Sequence, residues 1–568
     1  MKVLKIISKI LFIALLAVLA SCANEPKERD YEKELSDFIT AHEKIISPLQ
    51  QRIQMAEFNA AVTGRDEDYN IAAQANIELT AIYSNVEEFK LLSEIKESGK
   101  VANPLLARQL DILYNEYKFH QVEKQKMVEM IELATKMEKE IARFRVIVNE
   151  KELTMNEVNE ILTTSKNTQE VKNVWEASKK MGNLVAEDFV KLVKMRNEAS
   201  KSLGFNNYFE MRLILSGQDP KALAGIYDEF ELITAGPYSE LKNEIDTYLA
   251  NFYKITKEEL MPWHYQDLFF QNTPLMFEAD LDAFYKEKDL VMAAEKYYAG
   301  IGLDISDILN QSDLFPAKDK SEMAITHDVN RNGDVRIIAS IGNSEASMNQ
   351  LLYECGFAVY LKYINKDLPY FLRTSPHMFM NDAIAVLFSR FSSNPDWIAQ
   401  IMETEKVISD AEQSNNKKNQ RMQKFVFARW AQVMYRFERA LYENPDQDLN
   451  KLWWDLVEKY QLIKRPTEIN SAYWATKAHL ISQPCTYHNY ILGELFASQV
   501  YMYIKQNVAK GENDCSELCI GNTDVGKYLI DNIFSKGASL TWQELIKSAT
   551  GEELNADYYK MQYINVEN

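Results

Sequence analysis

Glycine and proline are scarce, 18 and 14 in 568 residues. That shortage excludes the regularly spaced turns of β-sandwiches and barrels. Five cysteines are too few to staple an exported chain of this length, so stability has to come from a large buried core. Seven histidines (42, 120, 264, 327, 377, 479 and 488) are scattered with no pair at i, i+4, so spacing alone gives no metal site. Basic runs are missing and the formal net charge is −19, which argues against nucleic acid as a partner, because phosphate binding needs a basic stripe. A phosphate-cradling loop, a nucleophile elbow and an internal repeat are also missing.

The one long apolar run, Ile10 to Ala20, stands behind Lys2, Lys5 and Lys9. It is too short and one-sided for a membrane span and reads as a secretory signal. It ends in Leu19-Ala20-Ser21-Cys22, which resembles the bacterial lipobox: cleavage before Cys22 would leave that thiol to receive lipid. A free thiol in a short tail is the alternative. The polar stretch "ANEPKERDYEKE" then reads as a tether. The expected organisation is a signal at 1–21, lipidated Cys22 and tether at 22–34, and a single helical domain at 35–568, with N-terminal lid helices at 35–150 and a core at 151–568. Ala23 after Cys22 favours the outer membrane of a cell envelope. Cys515 and Cys519 can pair, but a spacing of four does not decide it.

Elsewhere apolar residues recur at helical spacing. In "LARQLDILYNEYKFHQVEKQ", Leu110, Ile112, Leu113 and Tyr117 repeat at three and four. Breaks are expected at "SGQDP" (216–220) and "TAGP" (234–237). The fold class is all-α, with one exception. "EMAITHDVNRNGDVRIIASI" sets β-branched runs on both sides of Asn330-Arg331-Asn332-Gly333, a hairpin pattern. Asn343 or Ser344 can then cap a helix with Glu345 in its first turn. That helix carries "LLYECGFAVYLKYINKDLPYFLR", which has the frame of a zinc peptidase H-E-x-x-H helix with other residues at the two His positions.

The blocks "LVKMRNEASKSLGFNNYFEM" (192–211), "DLDAFYKEKDLVMAAEKYYAGIGLDISDIL" (280–309), "NRNGDVRI" (330–337), "MNQLLYECGFAVYLKYINKDLPYFLR" (348–373), "NDAIAVLFSR" (381–390) and "LWWDLVEKYQ" (452–461) resemble, in order, the zinc peptidyl-dipeptidases of the angiotensin-converting-enzyme type. The similarity runs over roughly residues 130–565. It implies a two-lobed, helical gluzincin fold with a deep central cleft and a small hairpin at the active-site edge. By that resemblance Tyr353 and Phe357 stand where the zinc His belong, Asp382 where the Glu ligand belongs, and Glu354 is the general base. In "TKAHLISQPCTYHNYILGE", Lys477 and Tyr487 match carboxylate-binding positions, His479 a substrate-contacting His and Tyr490 the oxyanion donor. One extra residue between His479 and Tyr487 weakens the tyrosine assignments. Asn489 replaces a chloride-binding Arg, and Met323 a substrate-contacting His. Without the resemblance Lys477 would be a solvated charge and the two tyrosines core packing.

Catalytic zinc needs three N, S or O ligands and an open position. Phe357 has no donor atom, and a phenol with an ordinary pKa near 10 is a poor one. Zinc lowers the pKa of bound water from about 15.7 to about 7, on the order of 12 kcal/mol, which Glu354 alone cannot replace. Cys355, two residues from Tyr353, points off the ligand face. No cofactor is therefore expected. Tyr353 and Phe357 are expected to stack and fill the space, with Glu354 needing hydrogen-bond partners or a raised pKa. The reading is an inactive, lipid-anchored homologue binding peptides or an envelope partner in its cleft. The alternatives are a dipeptidyl carboxypeptidase with an atypical metal site and a structural envelope lipoprotein.

Overall fold

The computed structural model describes residues 29–277, 279–404, 408–469, 471–509 and 520–565. Cys22, Cys515 and Cys519 lie outside them. Helices dominate. Among the described residues the strands form only two antiparallel pairs: β1 (Val146–Val148) with β2 (Lys151–Leu153), and β3 (Ile325–Asp328) with β4 (Val335–Ile338).

Five N-terminal helices come first: Tyr31–Thr63, Asp66–Tyr83, Val86–Ser98, Pro104–Phe119 and Lys124–Arg143. The first begins inside the expected tether, because the Asp30 carboxylate caps it by accepting from Lys33 N–H at 3.0 Å. Leu110, Leu113 and Tyr117 turn inward as their spacing predicts, into a small core shared with Leu35, Ile39 and Leu92. Tyr370 and Phe371, from the end of the zinc-helix-like stretch, complete that core. His42 lies between the Phe38 and Phe371 rings, with centroids at 5.2 and 5.5 Å.

A second and much larger core runs from Met137 to Tyr559. The chain breaks at 216–219 as expected, and Asp219 caps the next helix, Pro220–Tyr253. That helix passes through the predicted break at "TAGP" with Pro237 inside it. Proline removes a backbone donor, but Thr234 Oγ1 donates to the Phe230 carbonyl at 2.6 Å and the buried Tyr238 hydroxyl donates to the Gln461 carbonyl at 2.6 Å. A back-bond within the helix before the proline and a tertiary bond after it thus outweigh its local preference.

The hairpin pairs Ile325 with Ile338 and Asp328 with Val335. Positive φ falls at Gly333 and, unexpectedly, at Arg331 (51°), whose N–H is held by Asp328 Oδ1 at 2.8 Å while its guanidinium sits 5.0 Å from the Tyr370 ring centroid. The helix Glu345–Lys362 follows, capped by Ser344. Glu345 does not titrate as a dipole-stabilised carboxylate. Burial raises its pKa despite the bond from Ser392 Oγ, so desolvation outweighs the helix terminus.

This motif helix has apolar residues on every face and is almost wholly enclosed. At Gly356 it rests on the helix Met378–Ser389: a Cβ there would stand 2.9 Å from Ala385 Cα and 3.1 Å from the Ile384 carbonyl oxygen. Both obstacles are backbone, so Gly356→Ala should force the helices apart and cost about 1–3 kcal/mol. Gly225→Ala, in an exposed helical position with open space around it, should instead leave stability unchanged or raise it by about 0.5–1 kcal/mol. Denaturant unfolding of the two variants checks the contrast, and equal effects would dismiss the close contact.

Candidate functional site

Three elements meet at the centre of the molecule: the motif helix, the helix Met378–Ser389 and the strand β3. Tyr353 donates its hydroxyl to Asp382 Oδ1 at 3.0 Å. Glu354 accepts from Thr326 Oγ1 of the hairpin at 2.7 Å and from Gln350 Nε2 one turn earlier at 3.2 Å. Burial raises the pKa of both carboxyls, with the hydrogen bonds working against it; Asp382 also raises that of Glu354. Burial first, then Asp382, pushes the Tyr353 phenol far above its ordinary value. The expected stack is not formed: Tyr353 turns its hydroxyl to Asp382, and Phe357 packs on the main core. Cys355 is fully buried away from this cluster, and burial pushes up its thiol pKa.

These residues do not fit a zinc ion. Phe357 offers no donor, the Tyr353 hydroxyl is a neutral donor already committed to Asp382, and among the described residues no three His, Cys, Asp or Glu side chains gather as a ligand set.

Beside this cluster opens a cavity of about 520 Å³, within the usual range for ligand sites. One wall comes from the region of Phe144, Lys179 and Phe269, the other from Phe427 and the segment Thr476–His479 with Tyr487 and Tyr490. Lys477, His479, Tyr487 and Tyr490 therefore line a single space. Lys477 Nζ donates to Gln271 Oε1 at 2.8 Å and faces the Phe269, Trp430 and Tyr487 rings at 5.2–5.7 Å. Burial draws its pKa down to about 8.

Tyr487 is fixed by Trp430, whose indole N–H reaches its hydroxyl at 2.6 Å. The His479 ring stands edge-on to Tyr487 at 4.8 Å, pairs through Nε2 with Thr486 Oγ1 at 3.1 Å, and is held neutral by burial, with a pKa near 4. Tyr490 is 41% exposed and sits between the cavity and the cluster. Burial, and then the Asp382 carboxylate, raises its pKa. One turn further along its helix, Gly493 lies against the backbone beside Asp382.

The sequence model described as angiotensin-converting enzyme matches residues 29–232 and 250–564. The chain belongs to the angiotensin-converting enzyme family. The match begins about a hundred residues ahead of the expected extent, 130–565, so the N-terminal helices belong to the family's architecture too. A Caenorhabditis elegans protein, "Inactive angiotensin-converting enzyme-related protein", is 24% identical over 304 residues, which span 50% of this chain and 33% of that relative.

Within this family member, Asn489 is buried and accepts from Gln218 Nε2 at 2.9 Å, while Gln218 Oε1 pairs with His488 Nε2 at 2.7 Å. The position is closed by a neutral network. Met323 is 68% exposed ahead of the hairpin. Sequence reasoning missed Thr326, Gln271 and Lys179. Each belongs to an unremarkable local pattern and joins the site only through contacts tens to hundreds of residues away.

Glu354 has its pKa raised by the fold, so the folded state bears a cost for its charge above that pKa, and the cost fades as pH falls toward the unfolded value. Glu354→Gln should therefore stabilise the protein at pH 8 and lose that advantage toward pH 4. Thermal melts at both values check this; an equal effect at the two pH values would contradict it.

Proposed function

We propose that this chain is a catalytically silent, lipid-anchored member of the family that captures peptide C-termini in its cleft. The observation that carries this reading is the pairing of two neighbouring features. At the metal position a Tyr–Asp hydrogen bond and a phenyl ring replace a ligand set, while the adjoining cavity stays open and keeps Lys477, His479, Tyr487 and Tyr490 on its wall. The word "Inactive" in the relative's name supports the same reading.

Chemically, the cavity suits a carboxylate better than a reaction. Lys477 supplies a charge inside aromatic walls, Gln271 holds that ammonium in place, and Tyr487 stands beside it. In such a low-dielectric setting a charge-assisted bond is stronger than on the surface. Tyr490, the oxyanion donor by resemblance, lines the same cavity. Glu354, the general base by resemblance, has its oxygens engaged by Thr326 and Gln350 and no electrophile beside it. Cys22 provides the anchor, placing the protein in the cell envelope, at the outer membrane, with peptides as partners.

Protein purified in excess zinc should hold well under one equivalent and release no dipeptide from peptide C-termini; stoichiometric zinc with dipeptide release would sink the proposal. Short peptides with a free C-terminus should bind at least tenfold tighter than their amides, about 1.4 kcal/mol, and Lys477→Met should erase the difference. Cys22→Ala should move the protein from the membrane fraction to the soluble one.

A further inference from the structure

Lys179 ends the helix Thr168–Lys179. It is 2% exposed, yet it lines the cavity, and Lys179 and Lys477 are the only charged side chains on the described wall. Among the described residues Lys179 makes no ion pair or hydrogen bond. Its ammonium lies 3.6 Å from the Phe269 ring centroid and 5.2 Å from that of Trp175. Lys477 Nζ is 5.2 Å from the same Phe269 centroid, so the two nitrogens are within 9 Å of each other. Asp267 is the carboxylate that acts on both, but its oxygens are taken by the backbone N–H groups of Phe269 and Gln271 and by Asn272.

An ammonium is seldom buried without an anion, and cation–π contact offsets only part of its desolvation. Two amines share one aromatic cavity in a chain of net charge −19, and since Asp267 already spends its oxygens on amide donors, an incoming anion favours the charged form of both. We propose that Lys179 and Lys477 form a two-cation pocket selecting peptides that end in Asp or Glu, Lys477 taking the α-carboxylate and Lys179 the side-chain carboxylate. The proposal rests on the reading of the cavity as a site for peptide C-termini. It adds the substrate class, since a C-terminal residue that carries its α-carboxylate and a side-chain carboxylate a few bonds apart matches two amines within 9 Å of each other.

Protonation gives an independent readout. Burial lowers the Lys179 pKa to about 7, and the groups facing it are Lys477, Asp267 and the neutral His479, Tyr487 and Tyr490. At pH 8 the free amine is mostly uncharged, and a carboxylate arriving beside it restores the proton.

The test is fluorescence anisotropy with N-terminally labelled Ala-Ala-Ala-Glu and Ala-Ala-Ala-Gln on the full-length protein, with calorimetry at pH 8 in two buffers of different ionisation enthalpy. The Glu peptide should bind at least tenfold tighter than the Gln peptide and take up nearly one more proton. Lys179→Met should bring the two affinities within twofold, with the larger loss falling on the Glu peptide. Equal binding of both peptides by the parent protein, or an equal loss for both in Lys179→Met, would overturn the two-cation pocket and leave the peptide cleft standing. Failure of the parent protein to bind either peptide would remove both proposals. N-acetylglutamate binding as tightly as the tetrapeptide would overturn the peptide assignment. The two measurements on the parent protein decide the matter even if Lys179→Met does not fold.

Discussion

Gly356 has no Cβ, and so the backbone of the motif helix rests directly on the backbone of the helix that carries Asp382. Everything at the centre of the molecule is set by that approach. It brings Tyr353, one turn before Gly356 on the motif helix, within a hydrogen bond of Asp382. It holds Glu354 under the hairpin, where Thr326 can reach it. The helix interior on both sides is dry, so polar groups in this layer have to satisfy one another. A larger residue at 356 would loosen all of these contacts at once, because packed interiors transmit displacement rather than absorb it.

Two carboxyl groups share that dry layer: burial raises the pKa of both, and for Glu354 the Asp382 charge adds to it. The chain answers with neutral donors: a phenol for Asp382, a hydroxyl and an amide for Glu354. Hydrogen bonds of this kind lower a carboxyl's pKa while burial raises it, and here burial is the larger effect. The outcome is a cluster whose proton affinity is high and whose donors are occupied. Such a cluster serves packing and orientation better than proton transfer, which needs a group free to change partners during a reaction.

Much of this was legible in the residues. The helical periodicity, the hairpin around Asn330–Gly333 and the Ser344 cap all follow from local pattern. Lys477, His479, Tyr487 and Tyr490 were found by resemblance, and they share one cavity in the structure. What escaped is non-local. Pro237 was read as a break, but bonds from Thr234 and Tyr238 hold the helix through it. Tyr353 and Phe357 were expected to stack, since one helical turn separates them. Sequence spacing could not show that Asp382, from another helix, offered the phenol a better partner. Thr326 and Gln271 are ordinary residues until folding sets them beside Glu354 and Lys477.

Lys179 illustrates the same limit from the energetic side. In sequence it is a lysine near a helix end, where a cation is favoured by the helix dipole, and nothing separates it from the many surface lysines of the chain. Its burial on Phe269 changes its meaning, because an ammonium with aromatic neighbours and no carboxylate bonded to it is held at a cost the rest of the core has to offset. Natural cores discard such groups unless they gain something when a ligand arrives. The surface of the protein is acidic and the cavity is not. An anionic ligand that enters exchanges a repulsive exterior, screened beyond about 10 Å by salt, for two ammoniums at short range in a medium that strengthens their pull. The net charge of the chain and the sign of its cavity thus work in opposition, and that opposition favours a ligand small enough to leave the outer field entirely.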